Sequence, residues 1–278
     1  MDAGCGPDPF EWIERGDAAC IAFQWQLQCA RDALEEAFEG VDVVVQWAGA
    51  MRRRLLVADM DSTMITVECI DELADYAGRR AEVAAVTERA MRGELAFEEA
   101  LDARVALLRD LDEAVIDRCH EERVRVTPGA KALVRTMRAQ GAYCLLVSGG
   151  FGRFADRVAS DIGFDAAVAN RLDIVEGRLA GTVARPVLGA RGKLEALREA
   201  AAMRGIPLSD TLAVGDGAND VPMLAAAGLG VAYHAKPAAA AAADARIEAN
   251  DLTALLFAQG YSRKEWVLQS HPGESRDP

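Results

Sequence analysis

Two aspartates two residues apart end a short apolar run in Leu55-Leu-Val-Ala-Asp-Met-Asp-Ser-Thr63. Residues i and i+2 of an extended chain point the same way, so Asp59 and Asp61 can face one site. One aspartate can attack phosphorus and become an aspartyl-phosphate. A second carboxyl beside it can protonate a departing alkoxide and later take a proton from water. Taken alone, the pair reads more readily as loop aspartates capping the next helix.

Three further stretches carry chemistry. Val147-Ser148-Gly149-Gly150-Phe151 follows a second apolar run and is expected to open a helix. A hydroxyl, glycine N–H groups and a helix N-terminus together suit a phosphate, although a plain strand-to-helix turn has the same composition. Lys193, in Arg191-Gly-Lys-Leu-Glu195, opposes the dipole at a helix start. It reads either as a solvated lysine or as a cation placed to hold a carboxylate and a phosphoryl oxygen. Finally, Asp216 and Asp220 in Val214-Gly-Asp-Gly-Ala-Asn-Asp-Val-Pro-Met-Leu224 follow another apolar run. Hard oxygen donors at a strand end suit Mg²⁺, which takes one or two carboxylates and keeps waters. Four carboxylates converging on one sheet edge would repel one another without a cation, so the set argues for a metal more strongly than any member does.

The elements that must position these residues have a regular rhythm from residue 55 onward. Apolar runs at 55–58, 143–147, 166–169, 211–214 and 229–233 alternate with helical stretches. Runs this short and apolar suit strands buried on both faces, and their alternation with helices predicts a parallel α/β sheet with helices on both faces. Thr127-Pro128 opens one helix and Gly141 closes it; Gly163 and Gly205 close two more. Glu176-Gly177 joins 172–175 to 178–183 as a hairpin. Residues 66–126 are helical by pattern and enter directly after the first strand, where an insertion lies over the ligand-binding edge of the sheet. They are expected to form a helical cap over a core of 51–65 and 127–257. Residues 1–50 look like a small strand–helix–strand piece, with strands at 19–25 and 43–47. That piece is either a trimmed regulatory domain or an arm packed on the core. Residues 258–278 are left as a tail.

Composition narrows the function class. A net charge of −13 argues against a nucleic-acid surface. No segment approaches the roughly 20 apolar residues that span a bilayer, and the start lacks a signal-peptide pattern. Six scattered cysteines without a CxxC pair suit a reduced, cytoplasmic protein. His120, His234 and His271 lack zinc-type spacing. The acidic surface leaves a homodimer open.

In this order and on these elements, the four stretches resemble the haloacid dehalogenase superfamily over about residues 52–257. The resemblance implies a Rossmann-like core with the first strand central, a helical cap, and Mg²⁺. Within the superfamily, Asp59–Thr63 followed by Glu68, Met91–Phe97 followed by Arg104, Ser148–Phe151 and Gly215–Leu224 are similar to the phosphoserine phosphatase family. That similarity implies hydrolysis of the small phosphomonoester O-phospho-L-serine, the last step of serine biosynthesis. By it Asp59 is the nucleophile and Asp61 the general acid/base. Asp59, the Asp61 carbonyl and Asp216 would hold Mg²⁺, with Asp220 supporting the metal's water shell. Ser148, Gly149 and Lys193 would hold the phosphoryl group, and Asn219 would approach the substrate. Glu68 and Arg104 would read the amino acid, with Met91 and Phe97 enclosing it. A zwitterionic serine headgroup needs an anion and a cation, and a guanidinium fork grips a carboxylate bidentately. Met60 stands where many members carry phenylalanine, and about 50 residues precede the core where many relatives have a longer regulatory domain. The alternatives are a phosphotransferase or a phosphatase for another small ester, because the four stretches describe only the phosphoryl end. A non-catalytic protein on this fold would be expected to have lost one of the carboxylates or the lysine.

Overall fold

The computed structural model describes residues 10–24, 26–47, 49 and 51–268, with the Met91 side chain outside that description. In chain order, β1 (Glu11–Glu14) and β2 (Ala18–Cys20) form a hairpin, followed by α1 (Leu27–Ala37) and β3 (Leu55–Ala58). Four helices come next: α2 (Cys69–Tyr76), α3 (Arg80–Met91), α4 (Phe97–Ala106) and α5 (Ala114–Arg123). The chain continues through α6 (Ala130–Ala139), β4 (Tyr143–Phe151), α7 (Gly152–Ile162), β5 (Ala166–Asn170), β6 (Leu172–Val175) and β7 (Arg178–Val183). It ends with α8 (Ala190–Met203), β8 (Thr211–Gly215), α9 (Val221–Ala226), β9 (Leu229–Tyr233), α10 (Pro237–Ala242), β10 (Ala245–Ile247) and α11 (Ala254–Ala258).

Six strands form one parallel sheet in the order β10-β9-β8-β3-β4-β5. The reason β3 is apolar throughout is visible in its packing. Leu56 and Ala58 enter one core, and Leu55 and Val57 enter the other. All four are fully buried, so neither face has room for a polar side chain. Residues of α6, α7 and α11 cover the first face, and those of α8, α9 and α10 cover the second. The expected α/β sheet with helices on both faces is therefore present. From β3 the chain builds outward to β4 and β5, then crosses to β8 and builds the other way. The crevice beyond the carboxyl ends of β3, β4 and β8 lies at that reversal, where open sheets bind ligands.

The helices α2–α5 leave and rejoin the sheet through a narrow neck. Ile65 and Val126 form an antiparallel bridge there, and Thr66 and Thr127 donate N–H bonds to Arg125 (2.9 Å) and Met64 (3.0 Å). Leu73, Leu101, Val105, Leu108 and Ile116 belong to the same contiguous cluster as the first face of the sheet. The β6–β7 hairpin turns at Glu176 (φ 50°) and Gly177 (φ 76°), a left-handed pair that suits a two-residue hairpin loop. It packs on the inserted helices: Asp110 N–H meets the Leu179 carbonyl at 2.9 Å, and Glu113 N–H meets that of Gly177 at 2.9 Å. No described helix is long and apolar enough to cross a membrane.

Several local expectations are corrected. Residues 43–47 form no strand. Their apolar content is anchored by side chains: Val45 is buried, and Gln46 donates to the Ala258 carbonyl at 2.5 Å. Just before them, Asp42 accepts N–H bonds from Glu248, Ala249 and Asn250 at 2.7–3.0 Å. Of 19–25, only the first residues join a strand, and Trp25 lies outside the described residues. The piece before β3 packs along the β10 side of the sheet, where Arg31 donates to the Ala243 carbonyl at 2.7 Å and Glu35 pairs with Arg246. Beyond α11, Tyr261 is buried beneath the Arg52 guanidinium, and Val267 N–H reaches the Thr136 hydroxyl at 2.9 Å. The final residues of the sequence, 269–278, lie outside the described residues.

Candidate active site

Asp59 leaves β3 still in register, donating its N–H to the Val214 carbonyl at 2.9 Å. The chain then kinks. Asp61 is extended, and Ser62 takes a left-handed φ of 57° that turns the backbone toward the neck. Asp61 Oδ1 is held by the Cys69 N–H at 3.1 Å, whereas Oδ2 faces the Ser148 hydroxyl at 3.5 Å.

Lys193 sits in the first turn of α8 with no exposed surface. Its ammonium donates to Asp59 Oδ1 at 2.5 Å and Asp220 Oδ1 at 2.7 Å. Those partners explain why a lysine stands against the helix dipole. Burial pushes its pKa down, but the two carboxylates push it up further, so the net shift is upward and the charge is secure. Asp220 is itself fully buried and is held by the Gly217 N–H at 3.0 Å. Gly215 is required beside it, since a Cβ there would lie 2.4 Å from the Asp220 carboxyl carbon.

The carboxylates are crowded. Oxygens of Asp59, Asp216 and Asp220 lie within 4.8 Å of one another. Burial and then Asp220 push the Asp59 pKa well up; burial and then Glu68 push Asp61 up to about 7. Asp216 is raised by burial despite Lys236, whose ammonium lies 3.1 Å from Asp216 Oδ2. Four carboxylates thus face one fully buried ammonium, that of Lys193, and one half-exposed ammonium, that of Lys236. A divalent cation among Asp59, Asp216 and Asp220 would offset the remaining negative charge and lower all these pKa values. An all-oxygen donor set suits Mg²⁺. The residues present therefore fit the metal.

The serine–glycine stretch departs from expectation. Ser148, Gly149 and Gly150 belong to β4 itself rather than to the start of α7. Ser148 lies opposite Ala169 and Phe151 opposite Asn170, so the two glycines bulge out of the ladder. The Gly150 N–H donates to the Ser148 hydroxyl oxygen at 2.8 Å. A Cβ on Gly150 would meet Asp61 Oδ2 at 2.6 Å, which explains the glycine.

The inserted helices reach over this centre. The Phe97 ring lies against Gly149 and Gly189, where an added Cβ would be 3.4 and 3.0 Å from it. Asn219 is half-buried beside Gly149. Glu68 accepts from the Ser62 hydroxyl at 2.9 Å and lies 3.8 Å from the Lys236 ammonium. Arg104 is half-buried, and its guanidinium is depressed by burial against the fields of Asp71, Glu68 and Asp61. The Met91 side chain lies outside the described residues. The fold therefore gathers Asp59, Asp61, Ser148, Lys193, Asp216 and Asp220 into one cluster. Gly149, Asn219 and Phe97 border it, and Glu68 and Arg104 stand on the inserted side.

Two neighbours escaped the sequence reading. Lys236 lies three residues past the end of β9, and its N–H donates to the Asp216 carbonyl at 2.8 Å, which brings it to the same sheet edge as the aspartates. Asn170, at the end of β5, is 2% exposed. No sequence signal marked it beyond that strand-end position.

A parallel sheet of this order thus carries, directly past the end of its central strand, a carboxylate paired to a buried lysine. The haloacid dehalogenase-like hydrolase model matches residues 56–225, and the chain belongs to that family. It is 49% identical to a phosphoserine phosphatase of Streptomyces coelicolor, over 84% of this chain and 57% of that one. It is 46% identical to a phosphoserine phosphatase of Albidiferax ferrireducens, over 73% of this chain and 88% of the other. A solved substrate-bound phosphoserine phosphatase complex superposes with a TM-score of 0.70 at 40% identity, covering 74% of this chain and 98% of that one. The chain thus spans little more than half the length of some curated relatives it matches.

Proposed function

We propose that the protein hydrolyses O-phospho-L-serine to serine and phosphate through a phosphorylated Asp59. The observation that carries this reading is the buried Asp59–Lys193–Asp220 ion cluster, with Glu68 and Arg104 of the inserted segment near enough for their charges to act on Asp61. The similarity to phosphoserine phosphatases supports the substrate.

The Lys193 ammonium fixes the orientation of the Asp59 carboxylate. From that position Asp59 attacks phosphorus in line with the ester oxygen. The P–O ester bond breaks, and the departing serine oxygen takes a proton from Asp61. Because the Cys69 N–H occupies Oδ1, the proton belongs on Asp61 Oδ2. Asp61, now ionised, takes a proton from water; that water attacks phosphorus and releases phosphate from Asp59. Ser148, the Gly149 N–H and Lys193 hold the phosphoryl oxygens, where donors fixed in advance are most effective. Asp59, the Asp61 carbonyl and Asp216, with Asp220 behind, would hold Mg²⁺, which would supply further positive charge near those oxygens.

The substrate is read by opposite charges. The Arg104 guanidinium grips the serine carboxylate, Glu68 takes the ammonium, and Phe97 and Met91 close around them. Residues 66–126 act as the cap and 51–65 with 127–257 as the catalytic core. The excess of acidic residues disfavours nucleic acid as a partner. The five described cysteines are free, which suits a reduced compartment such as the cytoplasm.

Arg104→Ala tests the substrate reading. Removing a charged partner of a buried carboxylate is expected to lower kcat/KM for phosphoserine by about 10²–10³-fold. Hydrolysis of p-nitrophenyl phosphate, which lacks the amino-acid groups, should change less than about threefold. Equal losses on both esters would remove Arg104 from substrate reading.

A further inference from the structure

The Asn170 side chain makes three hydrogen bonds in a site that excludes water. Its Nδ2 donates to the Gly149 carbonyl at 2.8 Å and to the Leu188 carbonyl at 3.2 Å. Its Oδ1 accepts the Leu188 N–H at 2.7 Å. Both amide donors are thus used, each on the backbone of a different segment.

Each segment leads to a phosphoryl-facing group. The peptide between Gly149 and Gly150 is trans, so its C=O and N–H point in opposite directions. Drawing the Gly149 carbonyl toward Asn170 therefore aims the Gly150 N–H away from it, onto the Ser148 hydroxyl oxygen at 2.8 Å. With its oxygen accepting from Gly150, the Ser148 hydroxyl directs its own hydrogen toward the site, where Asp61 Oδ2 lies at 3.5 Å. On the other side, Leu188 precedes Gly189, whose carbonyl accepts the Lys193 N–H at 3.0 Å. One side chain thus sets the separation between the Ser148 hydroxyl and the Lys193 ammonium. The bulge gives Gly149 no ladder partner on β5, so nothing in the sheet replaces this bond.

We propose that Asn170 is a positioning residue for phosphoryl transfer: it locks the Ser148–Gly150 bulge to the segment leading into Lys193, and so aligns the donors around the reacting phosphorus. The proposal rests on the phosphatase reading but not on phosphoserine as the substrate, because every phosphomonoester uses the same donors. Three bonds made from a single amide also explain why the residue is asparagine. A carboxylate would keep the Leu188 N–H but set an oxygen against two carbonyls, and serine is too short to span both segments.

The test compares Asn170→Ala, Asn170→Asp and Asn170→Ser with wild type in Mg²⁺, using phosphoserine and p-nitrophenyl phosphate, with rates per folded molecule from near-ultraviolet circular dichroism. Misplacement of about 1 Å at a catalytic donor can cost about 10²-fold. The expected result is a fall in kcat of about 10–100-fold, by the same factor on both esters, with KM for phosphoserine within about threefold of wild type. Inorganic phosphate should also inhibit the variants more weakly. A residue that serves only the fold would lower the melting temperature and leave kcat per folded molecule unchanged, and that result would overturn the proposal. Failure of all three variants to fold would overturn it as well, by assigning Asn170 to folding. If wild type hydrolyses p-nitrophenyl phosphate but not phosphoserine, the substrate reading fails, while the common loss on p-nitrophenyl phosphate still decides the role of Asn170.

Discussion

Asp59→Asn is expected to lose at least about 10⁴-fold in kcat, the scale on which removal of a covalent nucleophile acts. Asparagine has the shape of aspartate but a far weaker nucleophilic oxygen, so the first chemical step has no substitute. The fold should survive. Asp220 keeps Lys193 paired at 2.7 Å, and one of the carboxylates crowding the site is gone. Melting temperature is therefore expected to stay close to wild type, and acid-quenched wild-type protein should carry phosphate that the variant does not. A variant retaining a tenth or more of wild-type turnover would contradict the covalent scheme.

Lys193→Met combines a catalytic loss with a structural one. Removing a preorganised charge beside the phosphoryl oxygens is expected to lower kcat by about 10²–10³-fold. The same change strands Asp59 and Asp220 as buried carboxylates. Breaking a buried ion pair from one side costs about 3–5 kcal/mol, which for a chain of this size lowers the melting temperature by on the order of 10 °C. Mg²⁺ should restore part of that loss, because a cation bound only by the folded state stabilises it. Arg191 provides the control. It lies two residues earlier on the same helix, with a 90% exposed side chain paired only to Glu195, and Arg191→Ala should leave both rate and melting temperature unchanged. A Lys193→Met protein as stable and active as that control would contradict the ion cluster.

The parts of this site that were legible in the sequence share one cause. Asp59, Ser148 and Asp216 each follow an apolar run, and a run buried on both faces must end at the sheet edge where ligands bind. The metal argument was legible too, because several carboxylates at one edge need a cation wherever their side chains point. What could not be read were partners distant along the chain. Lys193 in isolation resembles a solvated helical lysine; only the fold brings Asp59, 134 residues away, against it. Asn170 and Lys236 carry no local pattern that predicts their partners. Short elements failed for a different reason. The three residues of β10 are too few to show a period, and the β-branched residues at 43–45 join no ladder although the chain there runs close to β10, so burial of Val45 accounts for them. The glycines of the Ser148 stretch looked like a helix entry, whereas they bulge from the strand so that Asp61 can approach.

The most direct test is phosphate release, in Mg²⁺, from O-phospho-L-serine and from a panel of other small phosphomonoesters. The fold and charges described here predict that phosphoserine exceeds the others by about 10²-fold or more in kcat/KM, since a site built for both charges of the headgroup leaves them unpaired with any other ester. Comparable rates across the panel, or activity on other esters with none on phosphoserine, would contradict the account of Glu68 and Arg104 as readers of the substrate.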